Sequence, residues 1–578
     1  MNSRRAWLRN SAALLAGAAI APSLASPLIA DDSNQPLPPF AARGTAGAVA
    51  TVHPIATAAG IDAAKQGGNA IDAAIAAAVM LGVVDSHNSG LGGGCFILAR
   101  LASGKTVCID GRETAPAKAT RDMYLRGGKA DPNLSQTGAL AVATPGALRA
   151  YELLSREAGT RKFAELILPA AQVAEEGFAI DRVLAGRIAA TRETIAQFPA
   201  TAEVLFTASG KPLETGMTLR QRDLARTLRM IAEQGVDWFY EGELAERIGA
   251  WMREHGGLLS QDDFKNYQPA RREPLSTSFR RNTILGFPPP SSGGVHVAQI
   301  LKMLERFPLA EIHRSSPAAA LHLIAEAMKL AFADRAKWLG DPDFAKVPRG
   351  LIDEKYLMAR ASLINPQETT AAVAGEPPHP QSDLFSKHTT HITAADRAGN
   401  IVAITATVNT TFGSKVIVPG TGLVLNNEMD DFSIEPGVRN AFGLIGGQAN
   451  EVAARKRPLS SMSPTIVLDV DQKFRLTTGA AGGPTIISQV LLNVLRTLEF
   501  GENLATAIAA PRIHQQWSPD ELRCEKTLPQ EVQDDLSSRG HQLKLVDSMG
   551  VSQGIERRDD TLVAVHDPRV PGSARGWS

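Results

Sequence analysis

The run Thr389-Thr390-His391-Ile392-Thr393-Ala394-Ala395-Asp396, then Arg397-Ala398-Gly399, then Asn400 to Asn409 (NIVAITATVN) reads as two strands and a turn. The three-residue loop places Gly399 where a left-handed backbone is wanted, and such loops join antiparallel strands. On the return strand Val402, Ile404, Ala406 and Val408 share one face, which predicts a core-facing side. Thr405, Thr407 and Asn409 share the other. If Asp396 opposes Asn400, Thr389 opposes Thr407, and one face gathers two hydroxyls and an amide. Threonines also simply favour strands, and the pattern alone does not choose between these readings. The neighbourhood does. Residues 366–388, with Gly375, Pro377, Pro378 and Pro380, read as a linker ending at Thr389. A threonine exposed there as a new N-terminus would carry its own base, because an α-amino group has a pKa of about 7.7–8.0. A Thr hydroxyl activated by its own amine is an established nucleophile design.

Outward from the hairpin, the chain changes texture. Residues 69–84 are apolar on nearly all faces, which predicts a buried helix. Strands are expected at 95–101 and 105–110. Residues 145–380 read as mostly helical (162–176, 219–234, 243–255, 317–338), with strands inside 272–287. After Thr389, β-type runs at 389–396, 400–409, 464–470 and 473–478 precede apolar helices at 485–499 and 503–510. Helix and strand are segregated rather than strictly alternating, so an α+β layered fold is expected instead of a doubly wound parallel sheet.

Composition excludes several classes. The 578 residues hold 60 Lys+Arg and 60 Asp+Glu, 44% hydrophobic residues and 21% charged residues. That apolar share builds a core and excludes a disordered chain. The absence of a cationic excess argues against a nucleic-acid binder driven by bulk charge. Length alone suggests three or four domains. Three cysteines (Cys95, Cys108, Cys524) allow one disulfide at most, and no C-x-x-C or H-E-x-x-H occurs. The twelve histidines are scattered, so no zinc and no cofactor is expected.

Residues 1–30 read as an export signal. Arg4-Arg5 precede the apolar run Ala12 to Ile20, and small residues follow near Ala25 and Ala30. The arginine pair resembles the twin-arginine type. A membrane anchor is the rival, but Pro22 and Pro27 interrupt the run. The expected location is periplasmic or secreted, with no stable membrane span. Residues 1–30 contain Arg4, Arg5 and Arg9 and no acid, so the remainder carries three more acids than bases.

Longer motifs then carry a resemblance. They are Gly67-Gly68-Asn69-Ala70-Ile71-Asp72, Ser89-Gly90-Leu91-Gly92-Gly93-Gly94, Arg112-Glu113, Pro288-Pro289-Pro290-Ser291-Ser292-Gly293-Gly294, Asn409-Thr410-Thr411-Phe412-Gly413, Asn426-Asn427-Glu428-Met429-Asp430-Asp431 and Arg457-Pro458-Leu459-Ser460-Ser461. Together with Thr389-Thr390-His391, the chain resembles the γ-glutamyltranspeptidases of the N-terminal-nucleophile (Ntn) hydrolase superfamily from about residue 45 to 570. The resemblance implies a four-layer αββα sandwich formed jointly by two chains after self-cleavage between His388 and Thr389: a large subunit 31–388 and a small subunit 389–578. It implies that Thr389 is the nucleophile, that Thr407 helps activate it, and that Gly482 and Gly483 form the oxyanion hole. Such donors commonly supply about 3 kcal/mol. It implies that Arg112, Ser460 and Ser461 bind the α-carboxylate of a γ-glutamyl donor such as glutathione. Asn409, Glu428 and Asp431 then surround its α-ammonium. Water, an amino acid or a dipeptide accepts the glutamyl group. Without the resemblance, Arg112 reads as a surface ion pair and Glu428/Asp431 as an acidic turn.

Three departures stand out. Phe442 occupies a loop position where many relatives carry tyrosine, removing a possible hydrogen bond to Asn409. Ala480-Ala481 precede the glycine pair where Ser-Pro is frequent. Cys95 follows Gly94 and reads as packing. Gly550-Val551-Ser552-Gln553-Gly554 matches a nucleophile elbow, but the chain after it is too short for the elbow's partners. Two rivals remain: a cephalosporin (glutaryl) acylase of the same family, and an uncleaved binding protein using the same pocket.

Overall fold

The computed structural model describes residues 36–378, 390–435 and 437–578. Residues 37–578 form a single compact unit rather than three or four domains, because two large sheets run through it. Their strands, in chain order, begin with β1 (Ala41–Gly44), β2 (Gly47–Thr51), β3 (Gly94–Arg100), β4 (Thr106–Gly111) and β5 (Ala270–Arg271). Next come β6 (Leu275–Phe279), β7 (Asn282–Gly286), β8 (Thr390–Asp396), β9 (Ile401–Thr407) and β10 (Thr465–Leu468). The last are β11 (Phe474–Ala481), β12 (Val551–Arg558), β13 (Thr561–His566) and β14 (Ser573–Trp577). One sheet has the order β14-β2-β8-β9-β3-β4-β5 and the other β1-β13-β12-β11-β10-β7-β6. Every neighbouring pair in both is antiparallel. Both sheets thus mix strands from before and after residue 389.

Side-chain parity builds the layers. In β3, Cys95, Ile97 and Ala99 pack with the helices α1 (Pro54–Lys65) and α2 (Ala70–Val84). Phe96 and Leu98, pointing the other way, meet Leu285, Ile466 and Ile555 of the second sheet and Phe287 just past the end of β7. The stack of Phe96 on Phe287, centroids 4.2 Å apart, joins the sheets directly. The second sheet's outer face packs on further helices, including α4 (Gly293–Leu304), α5 (Pro317–Trp338) and α6 (Thr485–Leu498); α3 (Arg182–Ile195) lies with the first group. The layers are helix, sheet, sheet, helix.

The β8–β9 hairpin has the register read from the sequence over its described residues. Thr390 pairs with Ala406 and Ala395 with Ile401, and Asp396 N–H donates to Asn400 O at 3.0 Å. Gly399 has φ +101°, which a Cβ would disfavour. Val402, Ile404 and Ala406 face the α2 side as expected. Thr405 and Thr407 are buried as well, because this central strand faces the second sheet. Helix α2 is buried at nearly every position, as its uniform apolarity predicts. Its alanines let it lie close on the sheet, and Ala70 N–H donates to the Asp396 carboxylate at 3.0 Å, tying the helix start to the hairpin turn.

Residues 366–378 lack regular structure, but they are strapped down rather than loose. Thr369 Oγ1 and Thr370 N–H donate to Glu326 at 2.6 and 2.9 Å. Trp517 Nε1 donates to Ala372 O at 2.9 Å, and Gly375 N–H to Asp334 at 2.7 Å. Beside this strap His322 and His541 meet, Nδ1 to Nε2, at 2.8 Å, next to Glu326, a grouping hidden by their separation in sequence. Glu326 is already engaged by Thr369, Thr370 and Lys329.

All three cysteines are free and buried. Ser552 lies inside β12, paired with Ala480 of β11, and Gln553 beside it pairs with His566 of β13, so the elbow motif has no elbow geometry. Among the described residues, no helix is long and apolar enough to cross a membrane. The expected signal at 1–30, and both His388 and Thr389, lie outside the described residues.

Candidate active site

Strands β2, β4, β9 and β11 finish, and β3, β8 and β12 begin, at one end of the sandwich. The glycine run before β3 is required by close approach. A Cβ on Gly93 would lie 1.8 Å from Thr407 O, and one on Gly94 2.3 Å from Glu113 Oε2. Thr407, closing β9, accepts from Asn409 N–H through Oγ1 at 2.6 Å. Asn409 holds φ +75°, a conformation asparagine tolerates. Its amide donates to Asn427 O at 2.9 Å, and its Oδ1 is buried with no hydrogen-bond partner.

Arg112, just past β4, is fully enclosed. Its Nη2 donates to Asp431 at 2.6 Å and its Nε to Pro458 O at 3.3 Å. Its Nη1 bonds Glu428 and lies 3.4 Å from Glu113. The surface-pair reading of Arg112 therefore falls: this is a buried cation ringed by three acids. Burial alone would weaken its hold on the proton, but Glu428, Glu113 and Asp431 override that and keep it charged. Burial pushes Glu113 up to about 7, against the pull of Arg112. Burial also raises Glu428 well above the usual carboxylate range, and Glu113 and Asp431 add to the rise. Near neutral pH the cluster therefore holds at least a shared proton, which an incoming cation can displace.

Ser460 and Ser461 are fully buried nearby. Ser460 O accepts from Ser292 Oγ at 2.7 Å, and Ser461 Oγ has no partner. Ser292 in turn accepts from Arg335 Nε at 3.3 Å, while Arg335 Nη2 is buried without a partner. Gly482 and Gly483 have φ +134° and +62° and precede α6, where backbone N–H groups favour negative charge. The loop shape comes from this pair, since Ala480 and Ala481 remain in β11 against Ser552 and Val551. A Cβ on Gly483 would lie 2.7 Å from the Phe442 ring. The Phe442 loop is held by Ala441 N–H on Asp430 at 3.1 Å, so it links the acidic turn to the glycine pair.

The structure thus gathers Arg112, Glu428 and Asp431 in one cluster. Asn409 adjoins Thr407 and reaches Asn427, next to Glu428, and Ser460 and Ser461 lie close by through Pro458 and Ser292. Glu113, Asp430 and Arg335 escaped the sequence reading as site residues. Glu113 stood inside a quoted motif and carried a signal; Arg335, mid-helix in α5, carried none.

The γ-glutamyltranspeptidase family model matches residues 56–577. The glutathione hydrolase proenzyme of Escherichia coli (strain K12) is 41% identical over 569 residues, covering 96% of each chain. That of Bacillus subtilis (strain 168) is 40% identical over 553 residues, covering 92% of each. Among solved structures, cephalosporin acylase from Bacillus halodurans superposes with a TM-score of 0.84 at 29% identity, over 94% of this chain and 98% of that one. With a family model running from α1 to the last strand, and relatives near 40% identity over almost the whole length, the chain belongs to the γ-glutamyltranspeptidase family.

Proposed function

We propose that this chain is an exported γ-glutamyl hydrolase and transferase of the Ntn type, made as a precursor. Residues 1–30 direct export to the periplasm or exterior. Thr389 Oγ attacks the carbonyl of His388, the peptide C–N bond breaks, and water hydrolyses the resulting ester. The products are a large subunit, 31–388, and a small subunit, 389–578, that stay together as a heterodimer. The freed Thr389 amine then serves as base for its own hydroxyl.

In turnover, Thr389 Oγ attacks the γ-carbonyl of a donor such as glutathione, and the oxyanion forms against the N–H groups of Gly482 and Gly483. Thr407 supports the nucleophile. The leaving amine takes a proton, and a γ-glutamyl ester remains. Water, an amino acid or a dipeptide then releases it. The donor's α-carboxylate goes to Arg112, assisted by Ser460 and Ser461, because a guanidinium matches that planar anion. Its α-ammonium goes to Glu428 and Asp431, with Asn409 adding an acceptor. Binding is then an exchange of ion pairs: the donor's carboxylate takes over the cation, and its ammonium takes over the acids.

The observation that carries this reading is the buried cluster itself, one cation ringed by Glu428, Asp431 and Glu113. An acyl group without an ammonium would leave those acids without a partner, at a cost of several kcal/mol. The second reading, a glutaryl acylase, is favoured by the close superposition on a cephalosporin acylase. Matched γ-glutamyl and glutaryl anilides separate the two. The γ-glutamyl compound is expected to turn over at least about a hundredfold faster, a difference of roughly 3 kcal/mol. Equal or reversed rates overturn the first reading in favour of the second.

A further inference from the structure

Helix α5 carries five charged residues, and four of them have ion partners. Lys329 takes Glu326 at 3.2 Å, Asp334 takes Arg360 at 3.1 Å, and Lys337 takes Glu376. Arg335 is the fifth. It is 2% exposed and forms no ion pair among the described residues. Its Nε donates to Ser292 Oγ at 3.3 Å, and its Nη2 is buried without a partner. An enclosed cation with no acid beside it is expensive to bury, so stability alone does not account for this one.

Ser292 connects Arg335 to the donor cluster. Its Oγ and N–H both donate to Ser460 O, at 2.7 and 3.1 Å, and Ser291 Oγ donates to Met462 O. From the other side Arg112 Nε holds Pro458 O at 3.3 Å, and Asn450 joins Leu459 N–H, at 2.9 Å, to Asp431 O, at 2.7 Å. The serine pair thus hangs between two anchors, one on Arg112 and Asp431, the other on Ser292 and Arg335. Charge ties Arg335 to the same place. Burial lowers it to about 10 while Asp431 pulls the other way, so it stays a cation at neutral pH. His296 donates Nδ1 to Ser292 O at 2.6 Å, and burial and Arg335 hold it neutral, at about 3, so it brings no counter-charge. With one shared proton, Arg112 and its three acids carry a single net negative charge, which Arg335 balances. A zwitterionic donor leaves that balance unchanged. A donor with an ammonium and no α-carboxylate upsets it.

We propose that Arg335 is a positioning residue of the donor site: through Ser292 it fixes the Ser460–Ser461 segment, and as a second, non-contacting cation it makes the donor's α-carboxylate a requirement. The inference rests on the γ-glutamyl reading and deepens it. Arg335 is enclosed and does not touch the donor. It acts through the Ser292 hydroxyl, which carries its position to Ser460 O, and through its field, which a low-dielectric interior screens weakly. The two routes are separable. Ser292→Ala cuts the link and keeps the charge. Arg335→Lys keeps the charge and loses the Nε that reaches Ser292. Arg335→Gln removes the charge altogether.

The probes are a γ-glutamyl anilide and 4-aminobutyryl anilide, the same compound without its α-carboxylate. Arg335→Gln is expected to raise the KM for the γ-glutamyl anilide about thirtyfold, with kcat within about threefold and the KM for 4-aminobutyryl anilide within about twofold. Arg335→Lys should bring the γ-glutamyl KM back to within about fivefold of parent, and Ser292→Ala should raise it about fivefold. A merely structural role moves both compounds alike and is not rescued by lysine, so either result overturns the inference. If Arg335→Gln does not fold, the other two variants decide: a parental ratio of the two KM values in both refutes the role, and a ratio moved toward the 4-aminobutyryl compound supports it. A parent that ignores the γ-glutamyl anilide fails the γ-glutamyl reading itself. A parent that consumes it, beside variants that keep the parental ratio, fails this inference alone.

Discussion

Two polar pockets flank the β8–β9 hairpin, and they handle charge in opposite ways. On the β4 side, Arg112, Glu113, Glu428 and Asp431 are sealed from water and pair with one another, while Glu113 Oε1 and Glu428 Oε2 are left without a hydrogen-bond partner. On the β2 side, Asp85 is buried, but Arg187 is exposed at the rim and its charge goes unmatched by any ion pair among the described residues. A sealed pocket selects, because any ligand must replace every charge partner it displaces. A half-open one tolerates variety, because water finishes what the ligand does not satisfy. That division suits an enzyme strict about the acyl group and permissive about the amine.

The substitution that silences both pockets at once is Thr389→Ala. It is expected to leave a single uncleaved chain on a denaturing gel and to lower turnover by at least about a thousandfold. Two bands, or residual parent-like turnover, would mean another nucleophile serves both pockets. Arg112→Ala should strike one side only. The KM for γ-glutamyl donors should rise about a hundredfold, while self-cleavage and the KM for glycylglycine stay close to parent. Equal damage to cleavage would make Arg112 a structural ion rather than a binding one.

Acid–base behaviour sharpens the contrast further. Burial lifts Glu113 to about 7, above its ordinary value near 4.5, so it is neutral below pH 7 and charged above. A charged Glu113 attracts the donor's α-ammonium, so donor KM should fall about threefold to tenfold as pH rises from 6 to 8. Glu113→Gln should flatten that fall. The sign for stability is the reverse. The folded chain holds this proton more tightly than the unfolded one, so Glu113 favours folding below about pH 4.5 and loses that contribution as pH climbs through about 7. Denaturant midpoints for the parent and Glu113→Gln across pH 4–8 check it. The smallest expected effect belongs to Phe442→Tyr. A phenol there can reach for the unpartnered Asn409 Oδ1, worth about 1 kcal/mol. Donor hydrolysis should slow about twofold relative to transfer; no change means the loop lies too far from Asn409.

The sealed cluster is legible in the sequence only through the motif resemblance, and the cavity on the other side of the hairpin hardly at all. Arg112 is far in the chain from Glu428 and Asp431, but each sits in one of the motifs that carry the resemblance, and the hairpin register follows from alternation and one glycine. Full burial of Thr405 and Thr407 was not readable, because a strand alternating Val/Ile with Thr looks half exposed until a second sheet covers it. Strand β14 was invisible for a related reason. Ser573-Ala-Arg-Gly-Trp577 has no strand pattern, and its place comes from pairing Trp577 with Gly47 across the whole chain. The strap at 366–378 looked like a linker because its contacts are made by distant side chains such as Glu326 and Trp517.

The mixing of strands in both sheets has a consequence for how the molecule ages. A cut after His388 breaks no ladder, since β2 and β3 on one side of it still pair with β8, β9 and β14 on the other. While the chain is continuous, those partners meet at the high effective concentration of a tether. Once it is cut, a fully unfolded molecule can reassemble only by a bimolecular search whose success falls with dilution. A protein nicked there would owe its durability to slow unfolding rather than to ready refolding, because a molecule that came apart would seldom be rebuilt.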